Sequence, residues 1–187
     1  MRKVLFMKGS ELRLIEYMEG SKKRFIIPVY QRNYDWKIEN CKQLYDDLIQ
    51  VIKNNSKTHF FGSIVSVYEP SGRNTEFLII DGQQRLTTMS LLFLAMYNLL
   101  EEKIIISEDE SLKDQIYEDF LVDKYQPQEK RMKLKPIKND QKAFSKLFNS
   151  KDDYIKDSNL TINYSYFYER IQKQEITIDE LFDAICR

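Results

Sequence analysis

The sequence predicts an α+β fold: a few short strands carrying packed helices, followed by a mainly helical region. Three observations predict it. Short apolar runs bounded by Pro, Gly or Asn occur at Phe25-Ile26-Ile27, Phe60–Val67 and Glu76–Ile80. A long segment from Leu86 to Leu100 is apolar almost all round a helix, as befits a central element. Beyond about Glu101 the chain turns charged and keeps helical spacing.

Leu12–Met18 reads as a short helix, and Ser21-Lys22-Lys23-Arg24 as a turn into the first strand. Pro28 removes a backbone donor and ends that strand or leaves it at an edge. The loop Val29–Trp36 is dense in Tyr, Gln, Arg and Trp. From Ile38 the positions Cys41, Leu44, Tyr45, Leu48, Ile49 and Ile52 fall on one helical face, broken by Asn54-Asn55-Ser56. The strand Phe60–Val67 and the returning strand Glu76–Ile80 flank a hairpin-type loop over Glu69–Thr75. The run Phe77-Leu78-Ile79-Ile80 suggests burial on both faces.

Asp81-Gly82 then turns the chain into the strong helix. Further helices are predicted over Leu112–Val122, Asp140–Phe148, Asn159–Gln172 and Ile178–Ile185, with Met132-Lys133-Leu134 extended before Pro136. The last helix runs uncapped to Arg187, which reads as a piece of a longer protein.

Composition narrows the function. The chain has 187 residues, 42% hydrophobic and 31% charged, the balance of a folded globular protein. Lys plus Arg equals Asp plus Glu at 29 each, so DNA contact must come from a local patch or from a partner. Cys41 and Cys186 have no metal spacing and read as free thiols in a reducing compartment. The N-terminus, Met1–Ser10, has no export signal, and the longest apolar stretch, Leu91–Met96, is too short to span a membrane, so the expected location is cytoplasmic. Five scattered glycines exclude a GxGxxG or P-loop motif, and a single histidine, His59, excludes HNH and HExxH sites from this stretch of chain.

The strongest local signal is Leu78-Ile79-Ile80-Asp81-Gly82-Gln83-Gln84-Arg85-Leu86-Thr87-Thr88. A buried strand stops, Gly82 permits a tight turn, and a helix begins with its unpartnered N–H groups and positive dipole end facing out. Such a place attracts phosphate. Arg85 adds a planar donor fork, Thr87 and Thr88 add hydroxyls, and Asp81 can hold a divalent cation or orient a water. The plain structural alternative makes Asp81-Gly82 a capping turn, with Gln83 and Gln84 solvated and Arg85 paired to an acid.

Three further groups carry weaker signals. Tyr30, Gln31, Arg32, Tyr34 and Trp36 in the first loop offer cation and aromatic faces to a base or phosphate, or pack down as a small core. His59-Phe60-Phe61-Gly62-Ser63 puts a glycine inside a strand, a mark of close backbone approach. Lys130, Arg131, Lys133, Lys135, Lys138 and Lys142 are candidate DNA-phosphate contacts or a solvated face. Glu101-Glu102-Lys103 fits half of a nuclease metal motif, with Asp81 upstream, but lies at a helix end where that motif needs a strand.

Taken in order, IPVYQRNYDW, HFFGSIV and DGQQRLTT are similar to the N-terminal domain family of GmrSD-type modification-dependent restriction endonucleases. The resemblance extends in weaker form through Arg131–Leu134, Asn139-Asp140 and Tyr164–Phe167, covering about residues 10 to 175. It implies a small ParB/sulfiredoxin-like mixed sheet with packed helices over residues 1–105 as a nucleotide-binding core. A helical extension over 106–187 follows, with the chain truncated before a C-terminal nuclease domain. It further implies a nucleoside triphosphate with Mg²⁺, whose binding or hydrolysis controls cleavage of modified phage DNA by that nuclease domain or by a separate subunit. By the same resemblance Asp81, Gly82, Gln83, Gln84, Arg85 and Thr87 form the phosphate site, Tyr30, Gln31 and Arg32 close it, and Gly62 lies beneath.

Gln83 or Gln84 is the candidate for placing water, with Arg32 and Arg85 stabilising charge. The alternatives are a non-enzymatic reader of DNA modification, binding through Tyr34, Trp36, Lys130, Arg131 and Lys133, and a metal-dependent nuclease or nickase built on Asp81.

Overall fold

The computed structural model describes residues 13–58, 60–71 and 74–187, so His59, Gly72 and the N-terminal stretch Met1–Ser10 lie outside the described residues. Among the described residues the chain forms seven α-helices and four strands, an α+β architecture. The helices are α1 (Leu14–Met18), α2 (Ile38–Lys53), α3 (Gln83–Glu101), α4 (Leu112–Ile116), α5 (Lys138–Lys146), α6 (Asn159–Gln172) and α7 (Ile178–Cys186). The strands β1 (Lys23–Ile26), β2 (Val65–Ser71), β3 (Asn74–Asp81) and β4 (Leu134–Lys135) form one sheet in the order β2-β3-β1-β4.

The sheet is mixed. β2 and β3 form an antiparallel hairpin, while β1 runs parallel to both β3 and β4. The parallel register sets Arg24 beside Glu76 and Phe25 beside Phe77. Segments distant in sequence therefore meet at each end of the strands. The loop after β1 and the turn after β3 share the C-terminal edge. Lys22–Arg24, Glu76 and the segment leading into β4 share the opposite edge.

α3 is the central element, as its all-round apolar sequence predicts. From Leu86 to Met96 every residue is buried, and the helix packs against α6 and α4 in one continuous core. Burying each such Leu, Phe or Met contributes about 1.5–3 kcal/mol. Aromatic stacking extends the packing, with Phe93 on Phe120 at 4.4 Å and Tyr97 on Tyr117 at 4.7 Å between ring centroids. α7 begins with a reciprocal cap, in which Thr177 accepts from the Glu180 amide and Glu180 accepts from the Thr177 amide.

Four sequence expectations need correction. The hairpin-type loop expected over Glu69–Thr75 is largely strand, since β2 continues through Ser71 and β3 begins at Asn74. The strand predicted over Phe60–Val67 begins only at Val65, because Gly62 adopts φ +95° and the chain bends to follow the Arg85 side chain. β3 is buried mainly on one face: Ile79 is fully buried, whereas Ile80 is 39% exposed on the side that the helices leave open. The helix predicted over Leu112–Val122 widens at Tyr117–Leu121 into a single π turn, after which Val122 is extended and bridges Met132.

No helix among the described residues is long and apolar enough to cross a membrane. Both cysteines are unbonded, and burial pushes the Cys41 thiol up to about 12.

Candidate functional site

Parallel pairing of β1 with β3 brings the Pro28–Trp36 loop against the Asp81–Thr88 segment, though about fifty residues separate them in sequence. Ligands in sheets with parallel strands gather at such carboxyl-end edges. Gly82 stands at the start of α3 with φ +88°, a conformation that a side chain strains, and a β-carbon there would lie 2.9 Å from the Ser63 carbonyl oxygen. No side chain caps the first turn of α3. Its leading N–H groups therefore keep their capacity to donate.

Arg85 lies across Gly62. A β-carbon on Gly62 would stand 3.1 Å from Cδ, Nε and Cζ of the arginine, so glycine is what admits it. One Nη2–H donates to the Ser63 carbonyl at 2.7 Å, and the Asp81 carboxylate lies at 3.8 Å. The Arg85 Nε–H is buried and has no partner among the described residues. The guanidinium is thus positioned by backbone and glycine rather than consumed by a bidentate acid, and most of its donors remain available.

The two glutamines are buried, at 7% and 6% exposure, rather than solvated. They differ in use. Gln84 Oε1 accepts from the amides of Asp35 and Trp36 at 3.0 and 3.2 Å, and its Nε2 donates to the Asn33 carbonyl at 3.0 Å. Both ends of that amide are committed to the loop. Gln83, among the described residues, has no side-chain hydrogen bond, which leaves it as the glutamine able to place a ligand or a water.

Tyr34 is the hub of the loop. Thr88 donates its hydroxyl to the Gln84 carbonyl, so the Tyr34 hydroxyl must donate to Thr88 at 2.7 Å, and it accepts from Asn163 Nδ2 at 2.9 Å. The Tyr34 amide donates to Asp140 at 2.6 Å, and its carbonyl accepts from Asn159. Burial dominates the titration of both groups, raising the Tyr34 phenol and the Asp140 carboxyl. Tyr34 is 6% exposed and half-buried Trp36 packs on the core. The Tyr34 ring therefore has no free face for a DNA base, a correction to the stacking role expected of it.

The loop tip behaves differently. Tyr30 is 68% exposed, and Arg32 is also exposed, paired with Asp35 at 3.1 Å and with no other acid among the described residues. Gln31 donates to the Ile80 carbonyl at 2.7 Å and so ties the tip to the end of β3. Thr87 is buried at 2% and the Thr88 hydroxyl is occupied, so neither faces outward as a phosphate donor in this conformation.

The remaining candidates sit elsewhere. Lys130 and Arg131 are exposed at the opposite edge of the sheet, whereas Lys133 is buried, donating to the Gly20 and Asp119 carbonyls, and is not a surface contact for DNA. Glu101 and Asp81 lie at opposite ends of the 19-residue α3. At about 1.5 Å per residue they cannot share a metal ion. No cluster of three metal-ligating side chains occurs among the described residues.

The positioning residues that sequence reading passed over are Asn163 and Asn159, while Asp140 stood in the weaker Asn139-Asp140 match without a role assigned to it. Asn163 was findable as an amide on the apolar stripe of α6, between Leu160 and Phe167. Nothing in the sequence marks what Asn159 and Asp140 bind, because their partner is a backbone group far away in sequence.

Fold and site together define an α+β domain in which two sequence motifs are wired into one edge by hydrogen bonds from Gln31, Tyr34 and Gln84. The chain belongs to the family described as GmrSD restriction endonuclease, N-terminal domain, whose model matches residues 14–187. The protein is therefore a component of a restriction system. Among curated proteins, comparison finds no match.

Proposed function

We propose that the edge built from Asp81–Arg85 and the Tyr30–Arg32 tip binds the phosphates of a nucleoside triphosphate. The domain would then act as a nucleotide-dependent regulator of DNA cleavage, directed at modified DNA. One observation carries this reading: the first turn of α3, uncapped by any side chain among the described residues, holds Arg85, whose Nε–H has no partner among them. Oriented amides and a guanidinium with unused donors make an anion site that costs little reorganisation. The available amide of Gln83 and the exposed Arg32 supply the remaining polar groups.

Mg²⁺ fits this edge in one mode only. Asp81 is exposed, and no cluster of three metal-ligating side chains occurs among the described residues. That suits a cation carried by triphosphate oxygens and held by a single carboxylate. Bound so, it would neutralise phosphate charge. Arg85 would stabilise charge developing on the phosphate, and Gln83 would orient water, since Gln84 is committed to the loop. β1, β2, β3 and α3, which fall within residues 1–105, form the nucleotide core in this reading, while residues 106–187 supply the edge strand β4 and brace the loop through Asp140, Asn159 and Asn163. DNA cleavage would fall to a C-terminal nuclease domain or a separate subunit, and the whole would work in the cytoplasm.

The test is calorimetric titration of ATP, GTP, CTP and UTP with Mg²⁺ into the chain and into Arg85→Ala. Saturable binding that the substitution removes supports the reading, and phosphate-release assays follow. Binding that survives Arg85→Ala at full affinity overturns the assignment of the site. Absence of binding by the folded chain favours a non-enzymatic reader of DNA modification, with the exposed Tyr30 and Arg32 as its contacts.

A further inference from the structure

The sheet edge opposite the DGQQR turn carries a second constellation. A cleft of about 120 Å³ opens between the start of β1 and the segment leading into β4, lined by Lys22, Lys23, Arg24, Lys130, Arg131 and Lys133. Two acids, Glu76 and Asp123, also line it. Both acids are occupied. Asp123 is buried and accepts from the backbone amides of Lys22 and Tyr125, and Glu76 pairs with Arg24 at 3.4 Å. A protein of zero formal net charge has thus concentrated six cations around one small opening.

These cations fall into two groups. Lys23 and Lys133 are anchored, each donating to two backbone carbonyls and neither paired to an acid. They form a fixed positive floor. Burial pulls the ammonium of Lys133 down to about 8, opposed by Asp119 and Asp123 and reinforced by its repulsion from Lys23. Lys22, Lys130 and Arg131 are exposed at the mouth with no side-chain hydrogen bond among the described residues. Among the described residues Arg24 has a buried Nε–H without a partner and a single long contact, to Glu76. Lys22 is also at φ +70°, a region where lysine is strained, and its backbone N–H donates a hydrogen bond to the Asp123 carboxylate at 3.3 Å.

We infer that this cleft is a second phosphate site, separate from the α3 turn, that takes one phosphate group between the Arg24 guanidinium and the Lys22, Lys130 and Arg131 side chains. Its volume is well below the roughly 300 Å³ at which small-molecule pockets begin, so it admits a single tetrahedral anion and not a whole nucleotide. An arginine with unused donors, backed by ammonium groups that lack acid partners, is the donor set such an anion requires. The source is either a phosphodiester of a DNA backbone or a free phosphate, and the cleft's chemistry is the same for both.

The experiment follows backbone amide shifts of residues 20–24 and 123–133 by NMR at low ionic strength, titrating inorganic phosphate and, separately, a short duplex oligonucleotide. Two variants test the rim: Lys22→Gly, which removes a cation while relieving the left-handed backbone, and the exposed pair Lys130→Ala with Arg131→Ala. Saturable shifts confined to the cleft are expected, weakened about tenfold by Lys22→Gly, the loss of one charge-assisted contact, and by more than that in the pair, which removes two. They persist unchanged in Arg85→Ala, which separates this site from the α3 turn. Shifts with phosphate alone identify a free-anion site. Shifts with duplex, with a salt dependence that flattens in the variants, identify a DNA backbone contact. Shifts scattered over the surface, insensitive to both variants, or abolished by Arg85→Ala overturn the inference.

Discussion

Gly62 lies directly under the side chain of Arg85: a β-carbon on Gly62 would stand 3.1 Å from the arginine's Cδ, Nε and Cζ. The glycine also holds φ +95°. Gly62→Ala therefore meets two penalties at once, backbone strain and displacement of the guanidinium. The expected stability loss is about 1–3 kcal/mol, measured by denaturant unfolding. Nucleotide affinity should fall with it if the arginine has moved. Arg85→Ala should separate the two effects, leaving stability within about 1 kcal/mol, as is usual for part-exposed positions, while removing the binding.

Gln84 holds three backbone groups of the loop through one side chain. Gln84→Ala leaves two N–H groups and one carbonyl unpartnered in a half-buried setting. The expected cost is about 2–4 kcal/mol. The local signature is faster hydrogen exchange at the amides of Asp35 and Trp36, with the α3 core still protected. Unchanged exchange at those amides would show that the loop does not depend on Gln84.

How much of this was legible beforehand follows from the kind of interaction. Central α3 and the bounds of α6 were readable because apolar spacing over many residues is decisive. The partition of Gln83 from Gln84 was not readable, since adjacent identical residues differ only in which way α3 turns them. For Tyr34 the sequence left open a stacking ring or a packed-down small core, and could not choose because its partners, Thr88, Asn163 and Asp140, lie between 54 and 129 residues away. The early end of the Phe60 strand was hinted at by Gly62, yet its reason, the arginine lying over it, belongs to another segment.

The hydroxyl relay from Asn163 through Tyr34 to Thr88 is buried throughout and links α6, the loop and α3. Tyr34→Phe should cost about 1–3 kcal/mol by leaving Asn163 and Thr88 short of a partner. Thr88→Val should cost a similar amount. The double variant should cost clearly less than the two added, because the second substitution removes a group that the first has already orphaned. Strict additivity in urea unfolding would show that the two hydroxyls do not act together.

Lys133 gives the fold a pH dependence of defined sign. Burial, the largest influence, holds its ammonium at about 8, below the ordinary 10.5 of lysine. At neutral pH the residue is charged both folded and unfolded, and the folded state carries the full cost of burying that charge. As pH rises above about 8 the folded protein releases this proton while the unfolded chain keeps it up to about 10.5. The unfolded state then binds more protons, so Lys133 makes stability rise with pH across that window. Other groups titrate there too, and Lys133→Met isolates the contribution. The stability of the natural chain relative to that variant should increase by on the order of 1–2 kcal/mol between pH 8 and 10.5. A difference that stays flat or falls would mean that the Gly20 and Asp119 carbonyls hold the ammonium charged throughout. Saturating phosphate should move the onset of the rise to higher pH, because an anion in the cleft favours the protonated lysine.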